Sequence, residues 1–117
     1  MSDLKVLTEQ ILAFRAARDW AQFHKPKDMA LSLMLEAGEL AEHFQWKNEA
    51  EVQAHIEAKR AELGDELADV LYWVLLMAHD FGIDLPEAFR QKMVKNESKY
   101  PVDAARGRHT KYRDLNT

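Results

Sequence analysis

An all-α fold is predicted by three features of the sequence. Apolar residues recur at helical spacing through four segments. Only four Gly and three Pro are present, too little turn chemistry for an all-β chain. Helix-boundary residues stand where the periodic segments begin and end. The length of 117 residues suits one domain, and 47% hydrophobic residues supply a core. We read residues 1–117 as a single all-α domain, a four-helix bundle with a basic tail over about 102–117.

The first segment runs from about Asp3 to Trp20, with Ser2 as a cap and Leu4, Leu7, Ile11 and Phe14 as its apolar stripe. After the loop Phe23-His24-Lys25-Pro26-Lys27, Asp28 can cap a second helix reaching about Trp46. The third covers about Glu49 to Phe81, with a break before Ala58, and Gly82 ends it. Asp84-Leu85-Pro86-Glu87 reads as a capping box with Pro in the first turn; it opens a fourth helix to about Lys99, which Pro101 stops.

The second and third helices are apolar on two faces. Leu33, Ala37, Leu40 and Phe44 share one side of the second, while Leu31 and Leu35 lie nearly opposite. In the third, Leu63, Leu67, Val70, Val74, Met77 and Phe81 form one stripe, and Leu71 and Leu75 add another. A chain this short can hardly bury both sides of both helices, so a homo-oligomer centred on them is expected. A core helix in a monomer is the alternative.

A net charge of −4 argues against a general nucleic-acid surface. The longest apolar run, Val70 to Ala78, is far short of the roughly 20 residues of a membrane span. The absence of Cys removes thiolate catalysis and suits a reducing compartment, and the N-terminal stretch has no apolar signal region. A cytoplasmic protein without a membrane partner is the expectation.

The chemistry sits in two acid pairs. Glu36-Ala37-Gly38-Glu39 and Glu66-Leu67-Ala68-Asp69 each place two carboxylates three residues apart, on one helix face. One such pair is usually a solvated face. Two pairs beside apolar stripes are a different matter: on antiparallel helices they converge in a half-buried site. Four clustered carboxylates call for a hard divalent cation, and all-oxygen ligands favour Mg²⁺, with Mn²⁺ as a substitute. Glu42, Glu62 and Asp65 lie near the same faces and read as exposed acids or as supports. A di-iron bundle needs Glu three residues before His; Ala21, Leu40, Val52, Leu76 and Arg106 stand there instead. His79-Asp80 alone does not make a His-Asp phosphohydrolase, and His79 points away from the Glu66/Asp69 face by helical phase.

These motifs together resemble the MazG-like all-α NTP pyrophosphohydrolases, and within them the dCTP pyrophosphatase branch. The likeness is carried by Arg18-Asp19-Trp20-x-x-Phe23-His24-x-Pro26, Glu36 to Trp46, Asp65 to Leu71, Asp84-Leu85-Pro86, Lys92-Met93-x-x-Asn96-x-x-Lys99-Tyr100-Pro101 and Lys111-Tyr112. It implies Glu36, Glu39, Glu66 and Asp69 as magnesium ligands, with Glu39 the candidate for orienting or deprotonating the attacking water. It also implies cleavage between the α and β phosphates and a dimer or tetramer.

The resemblance places Trp20 and Trp46 in a base pocket. Trp73 lies one turn beyond Asp69 and can stack a base or fill the core. His24 reads either as a substrate contact or as an exposed loop residue. Lys92, Asn96 and Lys99 share one face of the fourth helix and, with Tyr100 and Lys111, offer groups for phosphate oxygens; a solvated basic face is the alternative. Ile11 stands where dCTP-preferring relatives carry His, and Lys99 where many carry Arg, which keeps charge but loses the bidentate fork. The expected reaction is (d)NTP to (d)NMP and diphosphate, with dCTP or a modified dCTP favoured. The same chemistry on dUTP or another non-standard nucleotide is one alternative. A non-catalytic helical oligomerisation or regulatory module is the other.

Overall fold

The structure, a computed structural model, describes residues 3–115; Ser2, read as a cap, lies outside them. The described residues hold six α-helices and no strand: α1 (Asp3–Ala17), α2 (Pro26–Glu42), α3 (Glu49–Ala58), α4 (Arg60–Asp80), α5 (Leu85–Lys99) and α6 (Val102–Ala105). Short 3-10 turns cover Ala21–Phe23 and Tyr112–Asp114. Two compact units are distinguished, residues 1–82 with α1 to α4 and residues 83–117 with α5 and α6. No helix among the described residues is long and apolar enough to cross a membrane.

Six helices stand where four are expected, because the third segment is two helices and the tail forms the short α6. Lys59, at φ −119° and ψ 29°, separates α3 from α4, one residue beyond the expected break. Its N–H still bonds the His55 carbonyl, and its own carbonyl accepts from Leu63, so the chain changes direction without orphaning backbone groups. An unforeseen capping box starts α3: Glu51 N–H donates to Asn48 Oδ1 (2.9 Å) and Asn48 N–H donates to Glu51 Oε1 (3.1 Å).

Other boundaries move by a turn. α1 stops at Ala17 rather than Trp20, and Asp19 adopts a left-handed φ of 53°. α2 begins at Pro26, not behind an Asp28 cap; extended Lys25 precedes it, as a residue before proline must. Asp28 sits in the first turn, where its charge favours the helix dipole. α2 ends at Glu42, so Trp46 lies beyond it at φ 67°. Gly82, at φ 68°, follows α4 in the left-handed conformation a helix end favours. Asp84 accepts from the Glu87 N–H (3.2 Å), but the Glu87 carboxylate turns to Arg90 and Gln91, so only half the box forms.

In the first unit α4 packs chiefly along α2, then against α1 and α3. Met29 of α2 and Leu63, Leu75, Leu76 and Ala78 of α4 are buried, and Leu76 is wholly inaccessible. Burial of one such leucine contributes about 1.5–3 kcal/mol. Arg15 of α1 grips Asp80 of α4 with two parallel hydrogen bonds of 2.8 and 2.9 Å. That fork clamps α1 at a fixed height on α4. The second face of α2 stays open, with Leu31, Met34 and Leu35 exposed; on α4 it is Leu67 of the first stripe that is exposed, while Leu75 of the second is buried.

Candidate active site

The α2–α4 packing brings acids from both helices together. One carboxylate oxygen each of Glu36, Glu39 and Glu66 lies within 4.8 Å of the others. Glu36 and Glu66 are half-buried, Glu39 exposed. Oε2 of Glu36 and Oε2 of Glu66 are buried without any hydrogen-bond partner. Ionised carboxylates only accept, so the three cannot satisfy one another unless one is protonated. Burial, then contact with Glu39, then the charges of Asp69 and Glu66 push the Glu36 carboxyl above its usual range. Burial and Glu39 raise Glu66 as well, against a smaller opposing pull from His43. Asp69, one turn along α4, is outside the three-oxygen cluster, but it reaches Glu36 with its charge and faces the same cleft.

That cleft has a volume of about 730 Å³, within the usual range for a small-molecule site. Leu7, Gln10, Ile11 and Phe14 of α1 form one wall, and Ala68, Asp69, Leu71, Tyr72, Trp73 and Leu75 of α4 supply the other. Trp20, His24 and Glu36 complete it. Its rings pack edge to face: Phe14 on Trp20 (5.7 Å between centres) and Tyr72 (6.3 Å), Tyr72 on Trp73 (5.0 Å), and His24 on Trp73 (5.2 Å). Nδ1 of His24 is buried and unpartnered, and burial, then the Arg15 charge, hold this imidazole below its ordinary pKa. An apolar slot with one acidic end suits a molecule with a flat ring and a charged, metal-binding portion.

The other expected residues lie elsewhere. Trp46 is 91% exposed and off the cleft lining. Lys92, Asn96, Lys99, Tyr100 and Lys111 belong to the second unit. There, Lys99 Nζ stands 4.8 Å from the centre of the Tyr112 ring, which Tyr100 meets edge-on at 6.2 Å. Asn96 contacts the Met93 sulfur, and Lys111 precedes the terminal 3-10 turn.

Two histidines set aside by the Glu-x-x-His test stand beside the acids. His43, just past α2, places Nε2 3.7 Å from Glu66 Oε1, and its Nδ1 is 2.8 Å from Nε2 of His55 on α3. The signal was present in the spacing: His43 follows Glu39 by four and Glu36 by seven, which is one helix face. Tyr72 and Gln10 were also missed as cleft residues; Tyr72 stands three after Asp69, but nothing local marks Gln10.

Clustered carboxylates on two packed helices beside an aromatic cleft define the class: an all-α protein with an acid-edged, ring-lined cleft. The chain belongs to the MazG-like family, whose model matches residues 31–115. It is 48% identical to dCTP pyrophosphatase 1 of Rattus norvegicus over 104 residues, covering 87% of this chain and 61% of that protein. The identity to dCTP pyrophosphatase 1 of Homo sapiens is 44% over the same shares of both chains. The chain thus spans 61% of the length of these curated relatives. A solved pyrophosphatase from Archaeoglobus fulgidus superposes with a TM-score of 0.81 at 36% identity, covering 86% of this chain and 94% of that one.

Proposed function

We propose that this chain is a magnesium-dependent nucleoside triphosphate pyrophosphohydrolase, converting a (d)NTP and water to the (d)NMP and diphosphate, with dCTP or a modified dCTP favoured. The observation that carries the reading is the convergence of Glu36, Glu39 and Glu66 next to an aromatic cleft, in a chain 48% identical to a dCTP pyrophosphatase.

The donor set fits a hard cation. Two buried carboxylate oxygens without partners, on groups whose charged forms are disfavoured, are the condition a divalent ion relieves. Glu36, Glu39, Glu66 and Asp69 would hold it, with Mn²⁺ as a substitute for Mg²⁺. When bound, such an ion neutralises phosphate charge and lowers the pKa of water. Glu39, the exposed member of the cluster, would orient or deprotonate the attacking water. Trp20 and Trp73 offer faces or edges to the base, and His24 offers a neutral imidazole to its polar rim or to the sugar. For Lys92, Asn96, Lys99, Tyr100 and Lys111 as phosphate contacts, and Trp46 as a base contact, the support is the family resemblance of their motifs and not this cleft.

A homo-oligomer, dimer or tetramer, accounts for the open second face. Leu31, Met34, Leu35 and Leu67 are between 45% and 64% exposed, and a second copy is the natural cover for leucines on the two central helices. A cytoplasmic setting, without membrane or nucleic-acid partners, matches a cysteine-free, acidic chain acting on free nucleotides. Ile11 in the cleft wall, where dCTP-preferring relatives carry His, favours a second reading in which the same chemistry serves dUTP or another non-standard nucleotide.

The test is incubation with Mg²⁺ and each dNTP and NTP in turn, with diphosphate and orthophosphate measured separately. Diphosphate with monophosphate, abolished by chelation, is the expected outcome, and the fastest substrate names the base. No release from any nucleotide would overturn the reading and favour the non-catalytic module.

A further inference from the structure

Helix α3 buries none of its residues fully, yet it carries one contact that reaches the acidic cluster: His55 to His43, and His43 to Glu66. The proton order of this chain is constrained. His43 Nε2 lies 3.7 Å from Glu66 Oε1, an ion-pair distance rather than a hydrogen bond, and an ionised Glu66 favours hydrogen on that nitrogen. A neutral His43 with its proton on Nε2 has a bare Nδ1. The hydrogen of the 2.8 Å contact then comes from His55 Nε2. His55 is partly buried with Lys47 and Lys59 nearby, and Glu62 is the acid that offsets them. Meanwhile the second Glu66 oxygen, Oε2, is buried with no partner.

We infer that the His43–His55 pair is a positioning device for Glu66: His55 Nε2–H fixes the tautomer and ring plane of His43, and the His43 Nε2 edge, at ion-pair distance, draws one Glu66 oxygen so that the other is turned to a divalent cation. The inference rests on Glu66 being a ligand, as proposed above. It makes α3 part of the site rather than a connector. A group that orients a ligating carboxylate is worth roughly 10–100-fold in metal affinity.

Binding of Mn²⁺ alone to the intact protein, followed by the electron paramagnetic resonance signal of the free ion, tests it without nucleotide or turnover. His43→Leu should weaken binding by about tenfold or more. His43→Gln, which restores an Nε2–H donor at similar reach, should return affinity to within about threefold of wild type, and His55→Phe should fall between the two. Long-range ¹H–¹⁵N spectra of the wild type at about pH 8, above the ordinary imidazole value of about 6.5, should show the Nε2–H tautomer at both histidines. Wild-type affinity in His43→Leu, or an Nδ1–H tautomer at His43, overturns the inference while leaving the metal assignment standing. No Mn²⁺ binding by the wild type overturns both. If His43→Leu does not fold, His55→Phe and the wild-type spectra decide.

Discussion

Replacing Glu36 by Gln separates the cost of the acidic cluster from its use. The side chain keeps its shape but loses its charge, and the new amide can donate to Glu39 or Glu66, whose oxygens lie within 4.8 Å of the Glu36 ligand atom. The buried, unpartnered oxygen thereby ceases to be a carboxylate among carboxylates. In the metal-free protein the variant should melt at or above the wild-type temperature. The sign of the pH dependence follows from the raised pKa. The folded state holds the Glu36 proton more tightly than the unfolded chain, whose ordinary value is 4.5. The stability this proton contributes is present below that value and is lost as pH rises through the higher folded value. Wild type should show that loss in full, and the Gln variant a smaller one, since burial and Glu39 still raise Glu66.

Metal reverses the order. An ion at a hundred times its dissociation constant stabilises the fold by about 2.7 kcal/mol. For a chain near 100 residues, each kcal/mol moves the melting temperature by about 4 °C. Wild type should therefore gain about 10 °C in excess Mg²⁺ at neutral pH, and Glu36→Gln most of a loss of that gain. Calorimetric scans with and without the ion measure both effects. A variant that keeps the full metal-dependent rise, or whose metal-free form melts well below wild type, refutes the reasoning.

Arg15→Met removes the fork to Asp80, which is only 22% exposed, and should cost about 1–3 kcal/mol in urea denaturation. Because the Arg15 hydrogen bond holds the Asp80 carboxyl below its ordinary 3.8, the fork's stability is lost as pH falls through the folded value, so the variant should begin acid unfolding at a higher pH; unchanged curves would show the clamp to be inert. Leu76→Ala, at a position with no accessible surface, should cost about 2–5 kcal/mol by the same measurement. Trp20→Ala should raise the nucleotide KM roughly tenfold, as loss of base stacking predicts, and leave Mn²⁺ affinity unchanged; an unaltered KM would remove Trp20 from the base pocket.

Much of the helical framework was legible because its signals are local. Gly82 at a helix end, Pro86 in a first turn, and Pro101 after a last turn act on their own backbone, so their meaning survives without a partner. The same holds for Glu36 and Glu39: three residues apart on one helix, they face one way whatever surrounds them. The boundaries that slipped depended on subtler choices. At Lys59 the helix breaks without glycine or proline to fix its position, one residue past the expected point, and at Trp20 and Trp46 the apolar pattern runs past the point where the backbone turns.

The sequence by itself therefore determined an all-helical chain with two acid pairs and a supply of aromatic rings, because helix periodicity converts spacing directly into shared faces. Only the tertiary structure decided which acids meet. The rotation and height of α4 on α2 put Glu66 into the cluster and set Asp69 toward the cleft, and a spacing of three on one helix says nothing about that choice. It likewise decided that α1 walls the cleft and that His55 reaches His43 across a loop. Such contacts join residues far apart in the chain, and they are set by how whole faces pack rather than by any local preference.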